Sequence, residues 1–193
     1  MRLMANVWQQ ALSSGYPQWE AVVRHTGWQS LLVATGYALA GTLCWASGLA
    51  HRGDGGNGGA WFLAAGLLAL IGANALARID LLVIYLLREV AHAQGWYEHR
   101  RDWQFLVLGA LAATGMLALG GLRTRLQAAW PRYASAALGV GLLATIAVLR
   151  AVSFHATDLV LNAHVLGASF GRLLEFAGLG LTAAGALRAS RGC

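Results

Sequence analysis

Lysine is absent from the 193 residues, and only 11% of them carry a charge. A soluble domain carries about 25% charged residues, so a surface solvated mainly by water is excluded. The lack of lysine suggests a GC-rich genome and carries no mechanistic meaning. Cysteine is nearly absent too. Cys44 sits in an apolar run and Cys193 is the last residue, which leaves no disulfide framework and no zinc spacing. A prenylation box needs three residues after its cysteine, so Cys193 does not form one. The chain also has no serine-nucleophile motif and no phosphate loop. Residues 1–14 contain Arg2 but no uninterrupted apolar core ahead of Ser13-Ser14-Gly15, so insertion is expected to rely on the helices themselves.

What is present is apolar: 58% of the residues are hydrophobic. The length suits one domain, and the expected class is all-α, a polytopic transmembrane bundle of a bacterial-type inner membrane. A bilayer core needs about 20 helical residues, and five stretches qualify. They are Trp28 to Ala50, Trp61 to about Leu87, Trp103 to Gly121, Ala134 to Phe154, and Leu166 to Leu187. Residues 28–193 therefore form one transmembrane domain. In residues 1–27, Leu3, Met4, Val7, Trp8, Ala11 and Leu12 fall at helical spacing, as in a segment lying in the membrane interface. Pro17 is expected to start a new helix. The glycine-rich run 51–59 follows no strand and reads as a linker rather than a phosphate cradle. Trp28, Trp61, Trp103 and Trp130 mark span ends, where interfacial aromatics belong. The four-residue steps Gly167/Gly171, Ser135/Gly139 and Ala137/Gly141 suit close helix packing within the bundle or against a second copy.

The net charge of +6 comes from 14 arginines. They lie mostly at span ends, where they meet lipid headgroups, so nucleic acid is not the expected partner. Five spans place the termini on opposite sides. One side then carries Arg2, Arg24, Arg88, Arg100 and Arg101, and the other Arg52, Arg123, Arg125, Arg132, Arg188 and Arg191. The counts show no bias; clustering in a short loop and a tail favours the second side as cytoplasmic.

Charge within a span costs about 2.5–3.5 kcal/mol on insertion scales and is a functional candidate by default. Glu175 lies in the fifth span, with Arg172 three residues earlier on the same face. Glu175 is either functional or half of a structural pair, with Arg172, Arg150 and Arg78 as candidate partners. In the second span Asn74, Arg78, Tyr85, Glu89 and His92 form one stripe, with Asp80 and Arg88 nearby. Glu89 and His92 make a Glu-x-x-His step of the kind used in helical metal sites, or simply a solvated helix end. After the fourth span, His155, Asp158 and Asn162 share a face if helix continues. His155 and Asp158 could ligate a metal, act as a base with its orienting carboxylate, or cap the helix. Arg78, Asp80, Arg88, Arg150, His155, Asp158, Arg172 and Glu175 converge in one leaflet, a pocket suited to phosphate or carboxylate.

The segments Gly95-Trp96-Tyr97-Glu98-His99-Arg100-Arg101-Asp102-Trp103-Gln104 and Arg150-Ala151-Val152-Ser153-Phe154-His155-Ala156-Thr157-Asp158 resemble a group of small bacterial polytopic membrane proteins. That group shows a GWYxxRRxxQ segment between two spans and an RxxSFHxxD segment closing a later one. The resemblance covers about a third of the chain and implies no activity. It nominates Arg100, Arg101, Arg150, Ser153, His155 and Asp158 as members of a shared pattern, which does not include His92.

Three function classes remain. The first binds or processes an anionic amphiphile, a lipid phosphate or acidic prenyl compound, with His155, Asp158 and Glu175 as candidate catalytic groups. The second holds a metal (candidates Glu89, His92, His155, Asp158) or a haem, drawing on His92, His155, His164 and Glu175. The third is a non-catalytic subunit whose charges pair with partner membrane helices.

Overall fold

The computed structural model describes the chain except residues 1, 26, 53–57, 96, 98–99, 126–129, 153–154, 166–167 and 191–193. It is a helical bundle of α1 (Arg2–Arg24), α2 (Trp28–Ala50), α3 (Gly58–Ala77), α4 (Ile79–Ala93), α5 (Arg100–Arg125), α6 (Trp130–Val152), α7 (His155–Asn162) and α8 (Phe170–Ser190). A two-residue antiparallel ladder, His164–Val165 (β1) with Ala168–Ser169 (β2), turns the chain from α7 into α8. Four helices are long and apolar enough to cross a membrane: α2, α3, and the segments Phe105–Thr124 of α5 and Tyr133–Arg150 of α6. The start and end expected for the first span coincide with α2.

Many leucines face outward, while alanines and glycines join a few large side chains such as Trp61, Tyr37, Leu68 and Leu143 inside. Leu31, Leu32, Leu39, Leu63, Leu70, Leu138 and Phe176 are exposed, whereas Ala40, Ala65, Ala136, Ala186 and Ala189 are buried. Burial of apolar area cannot drive helix association in lipid, so close backbone approach and internal hydrogen bonds do that work. The α6–α8 seam shows it. A methyl group on Gly139 would collide with Thr182 Oγ1 and lie 2.6 Å from the Gly178 carbonyl oxygen. One on Gly185 would lie 2.7 Å from the Ala136 nitrogen, and one on Gly178 would lie 2.8 Å from Leu143 Cγ. Gly171, Gly178 and Gly185 recur every seventh residue of α8, the step that keeps one stripe on a neighbouring helix.

These contacts also set directions. Arg150 lies against Gly171 and Ala136 against Gly185, so α6 and α8 are antiparallel. Gly48 meets Phe62 and Gly72 meets Tyr37, so α2 and α3 are antiparallel. Tyr37 reaches Glu175 and the Ser47 hydroxyl donates to the Ala186 carbonyl at 3.0 Å, so α2 and α8 run parallel. The starts of α2 and α8 and the ends of α3 and α6 thus share one end of the bundle. At the other end the buried His51 ring lies 2.8 Å from the Ser47 carbonyl. A carbonyl only accepts, so Nδ1 carries the proton there.

Several sequence expectations are corrected. The second apolar stretch is not one helix: α3 stops at Ala77 and Arg78 adopts a left-handed conformation, φ 49° and ψ 41°. That conformation costs about 1 kcal/mol in a non-glycine residue. Two side chains offset it. The Asn74 side chain accepts from the Asp80 amide at 3.0 Å, and the Trp19 indole donates to the Ala77 carbonyl at 2.8 Å. Asn74 and Arg78 therefore do not share a helical stripe with Tyr85, Glu89 and His92. Pro17 starts no helix; α1 runs through it. Near it Gln18 Nε2 donates to the Ser14 carbonyl at 3.2 Å. Helix α1 packs Ala11 and Gly15 inward, with Gly15 against Tyr85 and Leu86 of α4, and turns Trp8, Leu12 and Tyr16 outward.

Trp61 is no interfacial marker, because it is buried with its ring 5.0 Å from that of Tyr133. Trp28 is exposed and Trp130 packs against the core; the Trp103 side chain lies outside the described residues. Of the small-residue steps, Ser135/Gly139 lies in the α6–α8 seam. Gly141 meets nothing within 4 Å, so it makes no close helix approach here, and Gly167 lies outside the described residues.

Gly139→Ala and Gly185→Ala should each force α6 from α8 and cost about 1–3 kcal/mol. Gly141→Ala should leave the melting temperature of the detergent-purified protein unchanged. Equal melting of all three variants would refute this seam.

Candidate functional site

At the end where α2 and α8 begin, a carboxylate sits inside the bundle. Glu175 lies in the second turn of α8 and is 2% exposed. An unpaired charge there would be costly, and three helices supply its partners. From the last turn of α6, Arg150 donates Nη1 to Oε1 at 2.7 Å and Nη2 to Oε2 at 3.2 Å. That is the planar two-point fork available to arginine and not to lysine. The Tyr37 hydroxyl of α2 donates to Oε1 at 3.4 Å. Arg172, one turn back on α8, places Nη1 3.8 Å from Oε2, while its Nη2 donates to Ser30 Oγ at 3.5 Å. Gly171 opens the lane for Arg150, because a methyl group there would lie 3.2 Å from Arg150 Nη2 and from the Leu161 carbonyl.

The α3–α4 corner adds a second pair. Arg78 Nε lies 3.7 Å from Asp80 Oδ1, and Arg78 is close enough to Arg172 to act on it electrostatically. Asp80 stands in the first turn of α4, where the helix dipole favours a negative charge. The cluster thus holds Arg78, Arg150 and Arg172 against Asp80 and Glu175. Burial divides them by sign. The side chains of Glu175 and Asp80 are 3% and 9% exposed, those of Arg150, Arg172 and Arg78 33%, 23% and 34%.

Of the residues proposed from sequence, the structure therefore brings Arg78, Asp80, Arg150, Arg172 and Glu175 to one end. Arg88 turns to α1, donating Nη2 to Gln18 Oε1 at 3.2 Å with its guanidinium over the Tyr85 ring. His92 stacks on Tyr97 with ring centroids 3.7 Å apart, Glu89 lies on α4, and Asn162 and His164 are exposed. Among the described residues no three His, Cys, Asp or Glu side chains gather as a metal site. His155 and Asp158 are three residues apart in α7; their side chains, those of Arg100 and Arg101, and Ser153 itself lie outside the described residues. Sequence reasoning missed Ser30 and Tyr37, polar positions seven residues apart in an apolar span, and it missed Gly171 as the space for Arg150.

Fold and site define a helical bundle with membrane-crossing character and an ion-pair cluster at one end. No protein-family model, curated protein or solved structure matches this chain.

Breaking the Arg150–Glu175 fork should destabilise the bundle. Arg150→Met or Glu175→Met alone should each cost about 2 kcal/mol, less than a fully buried pair because Arg150 is partly exposed. The double variant should recover part of that loss, read as a positive coupling in a double-mutant cycle of melting in detergent. Strict additivity would mean the two side chains do not interact.

Proposed function

We propose that this chain is a five-pass protein of a bacterial inner membrane that binds an anionic amphiphile, a lipid phosphate or acidic prenyl compound, at the Arg150 end. The carrying observation is the division of charge by burial: nearly buried carboxylates against partly exposed arginine side chains, with one positive charge in excess. Guanidinium groups suit phosphate and carboxylate because their N–H groups match two acceptor oxygens at once. Helices α1 and α4 lie beside this end, the outward Trp8, Leu12 and Tyr16 meeting the acyl boundary. In the same reading α7 supplies His155 and Asp158 as base and orienting carboxylate for processing, and Arg100 and Arg101 add cations at the start of α5. The motif resemblance to small bacterial membrane proteins is compatible with this reading.

Helix α8 serves as the fifth span. Its two charges early in the helix are paired internally, which lowers the cost of inserting them, and it packs in parallel with α2. The termini then lie on opposite sides. Reporters active on one side only, fused to each terminus, should give opposite signals; matching signals would rule out five spans.

A second reading, a subunit of a larger membrane complex, is favoured by α5, whose apolar segment Phe105–Thr124 is unburied throughout. Ligand retention separates the two. The purified protein should retain phosphatidic acid at least about tenfold better than phosphatidylcholine by native mass spectrometry, and Arg172→Gln should reduce this roughly tenfold. Equal retention of the two lipids would move the subunit reading to first place.

A further inference from the structure

Helices α1 and α4 form a pair of their own: α1 packs on α4, and α4 meets the bundle mainly at α6. Neither belongs to the helices long and apolar enough to cross a membrane. With 15 residues, α4 is about 22 Å long, short of the ~30 Å hydrocarbon core. The two helices run antiparallel, because Trp19 reaches Ala77 just ahead of α4 while Gly15 lies against Tyr85 and Leu86. At about 100° per residue, their exposed side chains sort by side. Trp8, Leu12 and Tyr16 fall on one flank of α1, and Ile79, Val83 and Leu87 fall on the flank of α4 that lies on the same side of the pair. The opposite side carries Gln18, Arg88 and the exposed His92, with Arg88 bonded to Gln18 across the two helices. The pair is thus amphipathic as a unit, with one apolar face and one polar face.

We propose that the α1–α4 pair is a two-helix platform that docks on the lipid surface, its apolar face seated at the headgroup–acyl boundary of the leaflet where α3 ends. The occupant follows from continuity. Helix α3 is apolar enough to cross a membrane and stops at Ala77, and the exposed Leu76 and Ile79 flank the corner, so the pair begins where a span leaves the bilayer. Trp8 and Tyr16 are the aromatic types that settle at that depth. The corner is pinned by the Trp19 and Asn74 hydrogen bonds, which tie the platform to the end of α3. Charge decides how it docks. Helix α1 carries Arg2, Arg24 and Glu20, and α4 carries Arg88, Asp80 and Glu89, so with neutral histidines the pair has no net charge. Docking is therefore by apolar insertion and does not depend on anionic lipid. This rests on α3 crossing the membrane and is independent of the ligand at Arg150.

The test reads depth in the bilayer. In the full chain with Cys44→Ala and Cys193→Ser, a nitroxide is attached singly at Leu12→Cys, Val83→Cys, Gln18→Cys or His92→Cys. The protein is reconstituted in nanodiscs of phosphatidylcholine alone, or of phosphatidylcholine and phosphatidylglycerol in equal parts. Accessibility to oxygen relative to a water-soluble nickel chelate should be about fivefold higher at positions 12 and 83 than at 18 and 92, placing the first two roughly 5–10 Å below the phosphates. The two lipid compositions should agree. Photolabelling of the wild-type protein by a phosphatidylcholine with an acyl-chain diazirine should mark residues 8–16 and 79–87, and this needs no variant. Four labels equally open to nickel, with no photolabel in those segments, would overturn the platform. Four labels equally shielded would mean that the pair crosses the membrane, and spin–spin broadening at positions 12 or 83 would mean that a second copy covers the face. Insertion seen only with phosphatidylglycerol would refute apolar docking.

Discussion

The pairing of Glu175 with Arg150 constrains the rest of the bundle, because a carboxylate 2% exposed between helices has to be met at hydrogen-bond distance. A guanidinium reaches it because α6 and α8 approach closely there, with Gly171 leaving room for Arg150. The close approach continues along the seam, where Gly178 and Gly185 of α8 face Gly139 and Ala136 of α6. Any β-carbon in those gaps would hold the helices apart and leave both charges unpaired in a medium of low dielectric. The small residues and the ion pair are two parts of one solution. Close approach fills the seam with small residues, while many of the leucines face outward, where lipid can solvate them.

A second constraint acts where the chain leaves the bundle. Carried to Leu87, the apolar run beginning at Trp61 would make one long helix; Arg78 and Asp80 interrupt its hydrophobicity, but two charges alone do not end a helix. The corner is set by contacts distant in sequence. Trp19 satisfies the Ala77 carbonyl from 58 residues away, and Asn74 caps the first turn of α4 with its side chain. Without those partners the backbone groups freed at Arg78 would be unsatisfied at the edge of an apolar environment. With them, α4 turns to lie against α1, and Arg78 and Asp80 come to the same end as Arg150.

This explains which features could be read from sequence. The bounds of α2 were legible because composition alone dictates them: an apolar run that starts after Gly27 and stops at His51-Arg52. The existence of partners for Glu175 was legible because a carboxylate in the middle of an apolar stretch must be neutralised when it is buried. The break at Arg78, the inward turn of Trp61 and the continuity of α1 through Pro17 were not, since each is decided by tertiary contact against local preference. Trp61 illustrates the limit. A tryptophan at a span end suits the interface, and only the face of α3 that meets Tyr133 sends it into the core. Ser30 and Tyr37 went unread for a similar reason, because one hydroxyl in an apolar helix becomes meaningful only when the facing helix carries a charge.

The use of arginine alone for positive charge gains a physical meaning at this site. A lysine ammonium beside Glu175 would be a point charge, and burying the carboxylate would draw the whole cation inward with it. The five N–H groups of a guanidinium can be divided between directions. Arg172 directs Nη1 towards Glu175 and Nη2 to Ser30, yet its side chain stays 23% exposed. Arg150 presents two donors to the carboxylate and remains 33% exposed. Each cation is thus anchored on the inside while its side chain stays partly exposed. Anchoring matters for recognition, because a side chain already ordered by an internal partner loses less freedom when an external anion arrives. The buried carboxylates therefore act as a fixed frame for the partly exposed arginines, which outnumber them by one in this cluster.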